Sequence, residues 1–266
     1  MMPRHIAYVE PYFGGGAVLL ARDPADESLW ADGHKGVSEV CNDIHHSLFV
    51  FWKVLQDERM FGRFLRKVEA TPFSEAEFDR TFWVTSVTDP TREDDWLDIA
   101  FAFFVRARQS LSGMGKSFTG ITKTRVRRGM SNEVSAWLTA VEGLPAVHDR
   151  LKRVLILNRD ALDVIRGQDN SDCFMYIDPS YVHSTRTAPD VYKHECSDDH
   201  HRELLEILGS LKGKFILSGY PSAMYDEAIE KHGWHREDFD LPNNAAGGDT
   251  KRRMTEMLVT NYEVMR

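Results

Sequence analysis

Short apolar runs that stop at a polar or acidic residue punctuate both ends of the chain. Ile6-Ala7-Tyr8-Val9 runs into Glu10, the stretch 37–40 into Asn42-Asp43, and Val154-Leu155-Ile156-Leu157 into Asn158. Further on, Cys173-Phe174-Met175-Tyr176-Ile177 meets Asp178, and Phe215-Ile216-Leu217 meets Ser218-Gly219-Tyr220. Runs of that length bounded by polar residues predict buried strands of a largely parallel sheet. Helical stretches separate them: 17–21, a run over 47–56 carrying Leu48, Phe49, Phe51, Trp52 and Leu55, the stretch from Ala161 to Ile165, 198–211 with a Leu204, Leu205, Leu208 face, and 223–231. Strand and helix in alternation predict an α/β fold. Two late strands, 234–240 and 257–262, read as an antiparallel edge pair around the loop 243–253.

From 58 to 144 the strand pattern stops. Ser74-Glu75-Ala76-Glu77 has the form of a capping box, and Asp95 precedes an apolar helix from Trp96 to about Arg108. Residues 109–130 are rich in Ser, Gly and Thr and read as a loop, and 132–144 reads as a closing helix. The expected organisation is one α/β core, built from 1–57 and 145–266, interrupted by a mainly helical insert at 58–144.

A chain of 266 residues can bury a sizeable core, and no apolar run reaches the roughly 18 residues of a membrane span. The three cysteines, Cys41, Cys173 and Cys196, imply no disulfide framework and suit a reducing compartment. The expectation is a soluble cytoplasmic protein. The net charge of −8 speaks against nucleic acid until its distribution is considered. Residues 106–128 hold seven Lys/Arg (Arg106, Arg108, Lys116, Lys123, Arg125, Arg127, Arg128) and no acid; without them 26 basic residues face 41 acidic ones. An acidic scaffold with one basic segment is what a phosphate-contacting element produces, although a charge run can also be a solvated face.

Ligands of open α/β sheets bind beyond the carboxyl ends of the strands, so the polar tips are the candidate chemistry. Asp178-Pro179-Ser180-Tyr181 is the foremost of them. Pro11-Tyr12-Phe13-Gly14-Gly15-Gly16 reads as a tight turn between strand and helix; its glycines either admit a ligand to the backbone or serve helix–strand packing. Asp43, at the next strand tip, either receives ribose hydroxyls or caps the following helix. His194, Cys196, His200 and His201 lack paired short-spacing metal ligands, so a polar loop and helix start are expected there and no metal. Ser218 has no elbow motif around it, and Phe13-Gly14-Gly15-Gly16 lacks the third glycine of a dinucleotide fingerprint.

Taken together, Tyr8-Val9-Glu10-Pro11-Tyr12-Phe13-Gly14-Gly15-Gly16, Asn42-Asp43 and Tyr176-Ile177-Asp178-Pro179-Ser180-Tyr181 resemble the Dam-type DNA adenine-N6 methyltransferases. Within that group the chain most resembles versions carried by phages and prophages. Asp199-His200-His201-Arg202-Glu203-Leu204-Leu205, Ile216-Leu217-Ser218-Gly219-Tyr220 and 255–262 extend the likeness over nearly the whole chain apart from the insert. One departure is Ser180, where the family's D-P-P-Y motif has a second proline. The resemblance implies a Rossmann-like class I methyltransferase sheet with helices on both faces, the insert being a target-recognition domain.

It also implies S-adenosylmethionine as cofactor. Tyr8, Glu10, Pro11, Phe13, Gly14 and Gly16 would then lie at the methionine half, Asp43 at the ribose, Asp160 with Ala161 at the adenine ring, and Asp178 where cofactor and base meet. Asp178, Pro179, Ser180 and Tyr181 would grip a flipped adenine. The implied partner is double-stranded DNA, contacted by the seven basic residues of 106–128, with no membrane or metal partner. The protein would act as a monomer or a dimer in a bacterial or phage-infected cell. The alternatives are methylation of RNA or of a protein amide, and a non-catalytic DNA-binding remnant of the same fold.

Overall fold

The computed structural model describes residues 1–120, 124–180, 196–242 and 253–264. Tyr181, Lys123, His194 and residues 243–252 of the loop expected at 243–253 lie outside the described residues. Packing divides the chain into two compact units, Met1–His45 with Leu157–Arg266, and His46–Ile156.

Among the described residues the main sheet has seven strands. In chain order they are β1 (Ala7–Glu10), β2 (Ser38–Asn42), β5 (Val154–Leu157), β6 (Cys173–Ile177), β7 (Lys214–Gly219), β8 (His235–Pro242) and β9 (Arg253–Thr260), with a separate small pair β3 and β4 described below. The spatial order is β5-β2-β1-β6-β7-β9-β8. Strands β2, β1, β6 and β7 run parallel, and β9 pairs antiparallel with both β7 and β8. The sheet is therefore mostly parallel with an antiparallel edge, flanked by helices in a Rossmann-like arrangement. From β1 the chain moves to β2 on one side and later returns to β6 on the other. That reversal between β1 and β6 is the topological switch point, where a crevice opens at the carboxyl ends.

Apolar content explains the central strands. Phe174, Met175 and Ile177 of β6 and Tyr8 and Val9 of β1 are fully buried; Val9, Met175 and Ile177 pack with Leu162 and Ile165 of α8 (Ala161–Gln168) and Leu204, Leu205 and Leu208 of α9 (Asp198–Gly209), while Tyr8 and Phe174 pack against each other and His5. Side chains of this size each contribute about 1.5–3 kcal/mol on burial. A short helix α1 (Ala17–Ala21) follows the glycine turn, and α10 (Ala223–His232) follows β7.

The second unit is mainly helical. It contains α2 (His46–Gln56), α3 (Glu58–Glu69), α4 (Glu75–Val87), α5 (Trp96–Gln109), α6 (Asn132–Glu142) and α7 (Leu144–Leu151), so it takes in α2 and α7 as well as 58–144. Phe104 of α5 centres its core, with ring contacts to Phe51, Phe64 and Trp137. Three local expectations are corrected here. Ser74 opens α4 without a side-chain cap; its amide donates instead to the buried Gln109 Oε1 at 3.1 Å. The closing helix expected at 132–144 is α6 and ends at Glu142; a further helix, α7, starts afresh after Gly143 with Pro145 in its first turn.

The third correction lies in the stretch 109–130, which holds more order than a loop. Strands β3 (Val126–Arg127) and β4 (Met130–Ser131) form a hairpin closed by Arg128 and Gly129, with φ of 56° and 76°. Positive φ at both positions makes this a type I′ turn, for which Asn-Gly is the usual signal. Arg-Gly hides it.

Candidate active site

The parallel register brings the predicted tips to one end of the sheet. Glu10 pairs with Cys41 across β1 and β2, placing Asn42-Asp43 level with the start of the glycine turn, and Ile177 pairs with Leu217, so Asp178 and Ser218 follow side by side. Glu10 and Asp178 stand at the ends of the two strands that flank the switch point.

The glycine turn is held from several sides. Gly14 and Gly16 have φ of 49° and 66°, conformations that any side chain would strain. Asp43 Oδ2 accepts the Gly14 amide at 2.9 Å while Oδ1 accepts the His45 amide at 2.8 Å. Asp43 thus secures its own following turn and ties the glycine turn to β2. Asn42, fully buried, donates through Nδ2 to the carbonyls of Pro11 (2.9 Å) and Arg159 (3.0 Å), and its Oδ1 accepts the Arg159 amide. It stitches three strand ends together.

Glu10 is buried, accepts the Tyr8 hydroxyl at 2.6 Å and bonds the Leu19 amide in the first turn of α1. The anion that this helix start receives is therefore the protein's own. Burial pushes the Glu10 carboxyl up to about 7, against the pull of the Tyr8 hydroxyl, the Leu19 amide and Arg22. Tyr8 is completely enclosed, with its phenol pushed well up by burial. Tyr8 presents no surface of its own to a ligand and faces Glu10 through its hydroxyl. Behind it lies a buried pair, Arg22–Glu39 at 2.8 Å, with the guanidinium 4.0 Å from the Tyr8 ring centre.

On the other strand, Asp178 is open to solvent on one side and crowded by protein on the other. The packing behind the carboxyl, reinforced by the Glu256 charge, raises it to about 6, while a hydrogen bond from Ser218 acts in the opposite sense. Because solvent reaches Asp178, the shift comes from one-sided crowding rather than enclosure. Pro179 is buried. Ser180 Oγ accepts the Cys196 amide at 2.7 Å, and the Ser180 carbonyl lies 3.0 Å from His201 Nε2. Asp160 caps α8 through the Leu162 amide at 2.8 Å and is exposed, with Ala161 buried beside it.

This end of the sheet therefore presents a carboxylate on a proline-braced tip next to a glycine turn that another carboxylate secures. Residues 1–239 match the family model of the D12 class N6 adenine-specific DNA methyltransferases. The chain belongs to that family. It is an enzyme that methylates DNA at adenine N6, and the Rossmann-like sheet is the fold on which it does so. A search of curated proteins finds no match. No helix among the described residues is long and apolar enough to cross a membrane, and none of their His, Cys, Asp and Glu side chains form a group of three able to hold a metal.

The basic residues of this methyltransferase divide by environment. Arg106 is engaged within the protein: its guanidinium bonds Thr81 Oγ1 and the Thr81 carbonyl, each at 3.0 Å, and lies 4.3 Å from the Phe82 ring centre, fastening α5 to α4. Arg128 is also engaged, gripping both Glu142 oxygens at 2.9 and 3.0 Å. Arg108, Lys116, Arg125 and Arg127 are exposed and have no ion-pair partner among the described residues. Asn42 and Ser218 were missed as site residues. Each is the first polar residue after an apolar run, the signal that singled out Asp178.

Proposed function

We propose that the protein transfers the methyl of S-adenosylmethionine to N6 of an adenine flipped out of double-stranded DNA. The observation that carries this reading is the pairing of Asp178 with the glycine turn across the switch point. Open space where a Cβ would stand at Gly14 and Gly15, with Asp43 beside the turn, suits a ligand with a hydroxyl-bearing ribose. Pro11, Phe13, Gly14 and Gly16 would line its methionine half, with Glu10 and Tyr8 bracing from behind. Asp160 and the Ala161 backbone would face its adenine ring. The cofactor supplies an electrophilic sulfonium methyl.

The residues of this chain supply the grip. An adenine amino nitrogen is a weak nucleophile because its lone pair is delocalised into the ring. The Asp178 carboxylate and the Pro179 carbonyl accept its two hydrogens and localise that pair for in-line attack. Tyr181 stacks on the base, which must first leave the duplex because N6 cannot be approached within the stack. Ser218 holds Asp178 in place and ionised. Positioning of this kind can supply much of the rate. The His46–Ile156 unit is the proposed recognition domain, with no assignment of monomer or dimer. The test is methyl incorporation from labelled S-adenosylmethionine into duplex DNA, RNA and protein side by side: label in DNA alone supports the reading, and label in RNA or protein transfers the activity to those substrates.

Two expected outcomes follow. The grip needs the carboxylate form of Asp178, so kcat/KM falls as pH drops through about 6. Asp178 and Glu10 both bind protons more tightly folded than unfolded, so for these two groups acidification through pH 7 to 5 raises stability. A rate profile recorded beside melting temperatures therefore separates loss of grip from unfolding. A flat rate between pH 5 and 8 contradicts the assignment.

The second concerns the hairpin. Arg125 and Arg127 flank Val126, which is 76% exposed, on a projecting two-stranded element. Replacing both arginines by alanine lowers the slope of log affinity against log salt by about 2, since each lost phosphate contact removes roughly 0.9. An unchanged slope in anisotropy titrations removes the hairpin from the interface.

A further inference from the structure

Two adjacent histidines at the start of α9 each reach one half of the site. His200 Nε2 lies 2.7 Å from the hydroxyl of Tyr12, the residue within the glycine turn between Pro11 and Phe13. His201, with no exposed surface, lies 3.0 Å from the Ser180 carbonyl through Nε2 and 3.0 Å from the Tyr225 hydroxyl through Nδ1. A carbonyl only accepts, so Nε2 carries the hydrogen and Nδ1 faces the phenol. Successive helical residues diverge by roughly 100°, and the two rings stand at 89° with centres 6.4 Å apart. One helix end therefore contacts the turn at the end of β1 and the tip at the end of β6. The same helix start secures the tip a second time, because the Cys196 amide donates to Ser180 Oγ. Ser197 caps α9 at the His200 amide, fixing the origin of the pair.

We propose that His200 and His201 form a positioning latch, in which one helix end sets the separation of the cofactor turn and the base-gripping tip. The inference rests on the reading that Asp178 and Pro179 hold the base while the glycine turn holds the methyl donor. Neither histidine touches substrate; each acts through Tyr12 or Ser180. The physical reason for such a latch is the steep dependence of transfer on alignment: a misplacement of about 1 Å costs on the order of 10²-fold in rate.

The latch makes kcat the sensitive quantity. His201→Phe keeps the bulk and removes the donor, and its kcat falls roughly 10–100-fold, with cofactor Kd and the KM for DNA within about threefold of wild type. His201→Gln places an amide N–H near the Nε2 position and recovers most of that loss. Tyr12→Phe, half-buried and close to isosteric, tests the other arm without risk to the core and also lowers kcat. Because both arms set one separation, the double variant His201→Phe with Tyr12→Phe is less than multiplicatively impaired. Merely structural roles predict independent effects, matched by falling melting temperature and weaker binding. If His201→Phe does not fold, Tyr12→Phe decides alone: reduced kcat at unchanged cofactor Kd supports the latch, and wild-type kcat overturns it. Full activity of His201→Phe, failure of His201→Gln to rescue, or multiplicative losses likewise overturn it. A wild-type chain that transfers no methyl to DNA overturns the underlying reading, whereas an active wild type with insensitive latch variants overturns the latch alone.

Discussion

Asp178→Ala abolishes methyl transfer, with a loss of roughly 10³-fold or more, while cofactor affinity stays within a few-fold of wild type. Removing one preorganised partner of a developing charge costs on the order of 10²–10³-fold in other enzymes, and in the proposed grip the lost group also holds the amino nitrogen at the point of attack. The surroundings make the deletion specific. Asp178 leaves the end of β6, whose apolar residues are buried, and its one-sided exposure lets the alanine variant fold without opening a core cavity. Ser218, buried beside it, loses one hydrogen-bond partner and keeps Tyr176, a cost confined to the site. Single-turnover assays with duplex DNA beside calorimetry of cofactor binding separate the effects. Retained transfer removes Asp178 from the mechanism; lost cofactor binding moves it to the cofactor pocket.

Gly16→Ala produces the second large effect, on the cofactor side. Gly16 adopts φ 66°, and a Cβ there would lie 2.6 Å from Phe13 Cζ. A left-handed conformation costs an L-residue about 1–2 kcal/mol. Phe13, 4% exposed and tied by its amide to the Asn42 carbonyl at 2.8 Å, has little room to yield. The expected outcome is a stability loss of about 1–3 kcal/mol and cofactor affinity reduced tenfold or more. Gly15→Ala is the internal control: its φ is not positive and no atom lies within 4 Å of the added carbon, so its melting temperature stays at the wild-type value. Equal behaviour of the two variants contradicts the turn's proposed role.

These two variants probe features that were readable in the chain, and the reasons are physical. Strands β1, β6 and β7 announce themselves because a strand buried on both faces must be largely apolar, and β5, at the sheet edge with Leu155 exposed, does so by its apolar run alone; the switch to Glu10, Asn158, Asp178 and Ser218 marks the polar end of each run. Gly14 and Gly16 were legible because positive φ selects glycine. What stayed hidden depends on partners far apart in sequence. Nothing near Ser74 tells that the Gln109 amide oxygen will take its N–H, and nothing near Arg106 tells that Thr81 and Phe82 will occupy its guanidinium. The hairpin at Arg128-Gly129 was hidden because an arginine in the left-handed region gives no compositional signal.

Ser180 illustrates the same limit. As a sequence feature it is only the absence of a second proline, which leaves residue 179 less restricted. In the fold its hydroxyl gains the Cys196 amide and its carbonyl gains His201, two restraints that take over the work of a ring. His201 carried a readable hint, since it precedes Leu204, Leu205 and Leu208 by three, four and seven positions on the buried face of α9. A histidine at a core position asks for partners, and the pattern could not say that one of them is the Ser180 carbonyl beyond the end of β6.

The most direct measurement is sequencing of modified bases in DNA from cells that express either the wild-type chain or Asp178→Ala. Wild type is expected to leave N6-methyladenine at one recurrent short sequence, and the variant, folded and at equal level, to leave none. An absence of N6-methyladenine with folded wild-type protein, or the same methylation pattern from both chains, would contradict the assignment of Asp178 as the residue that grips the base.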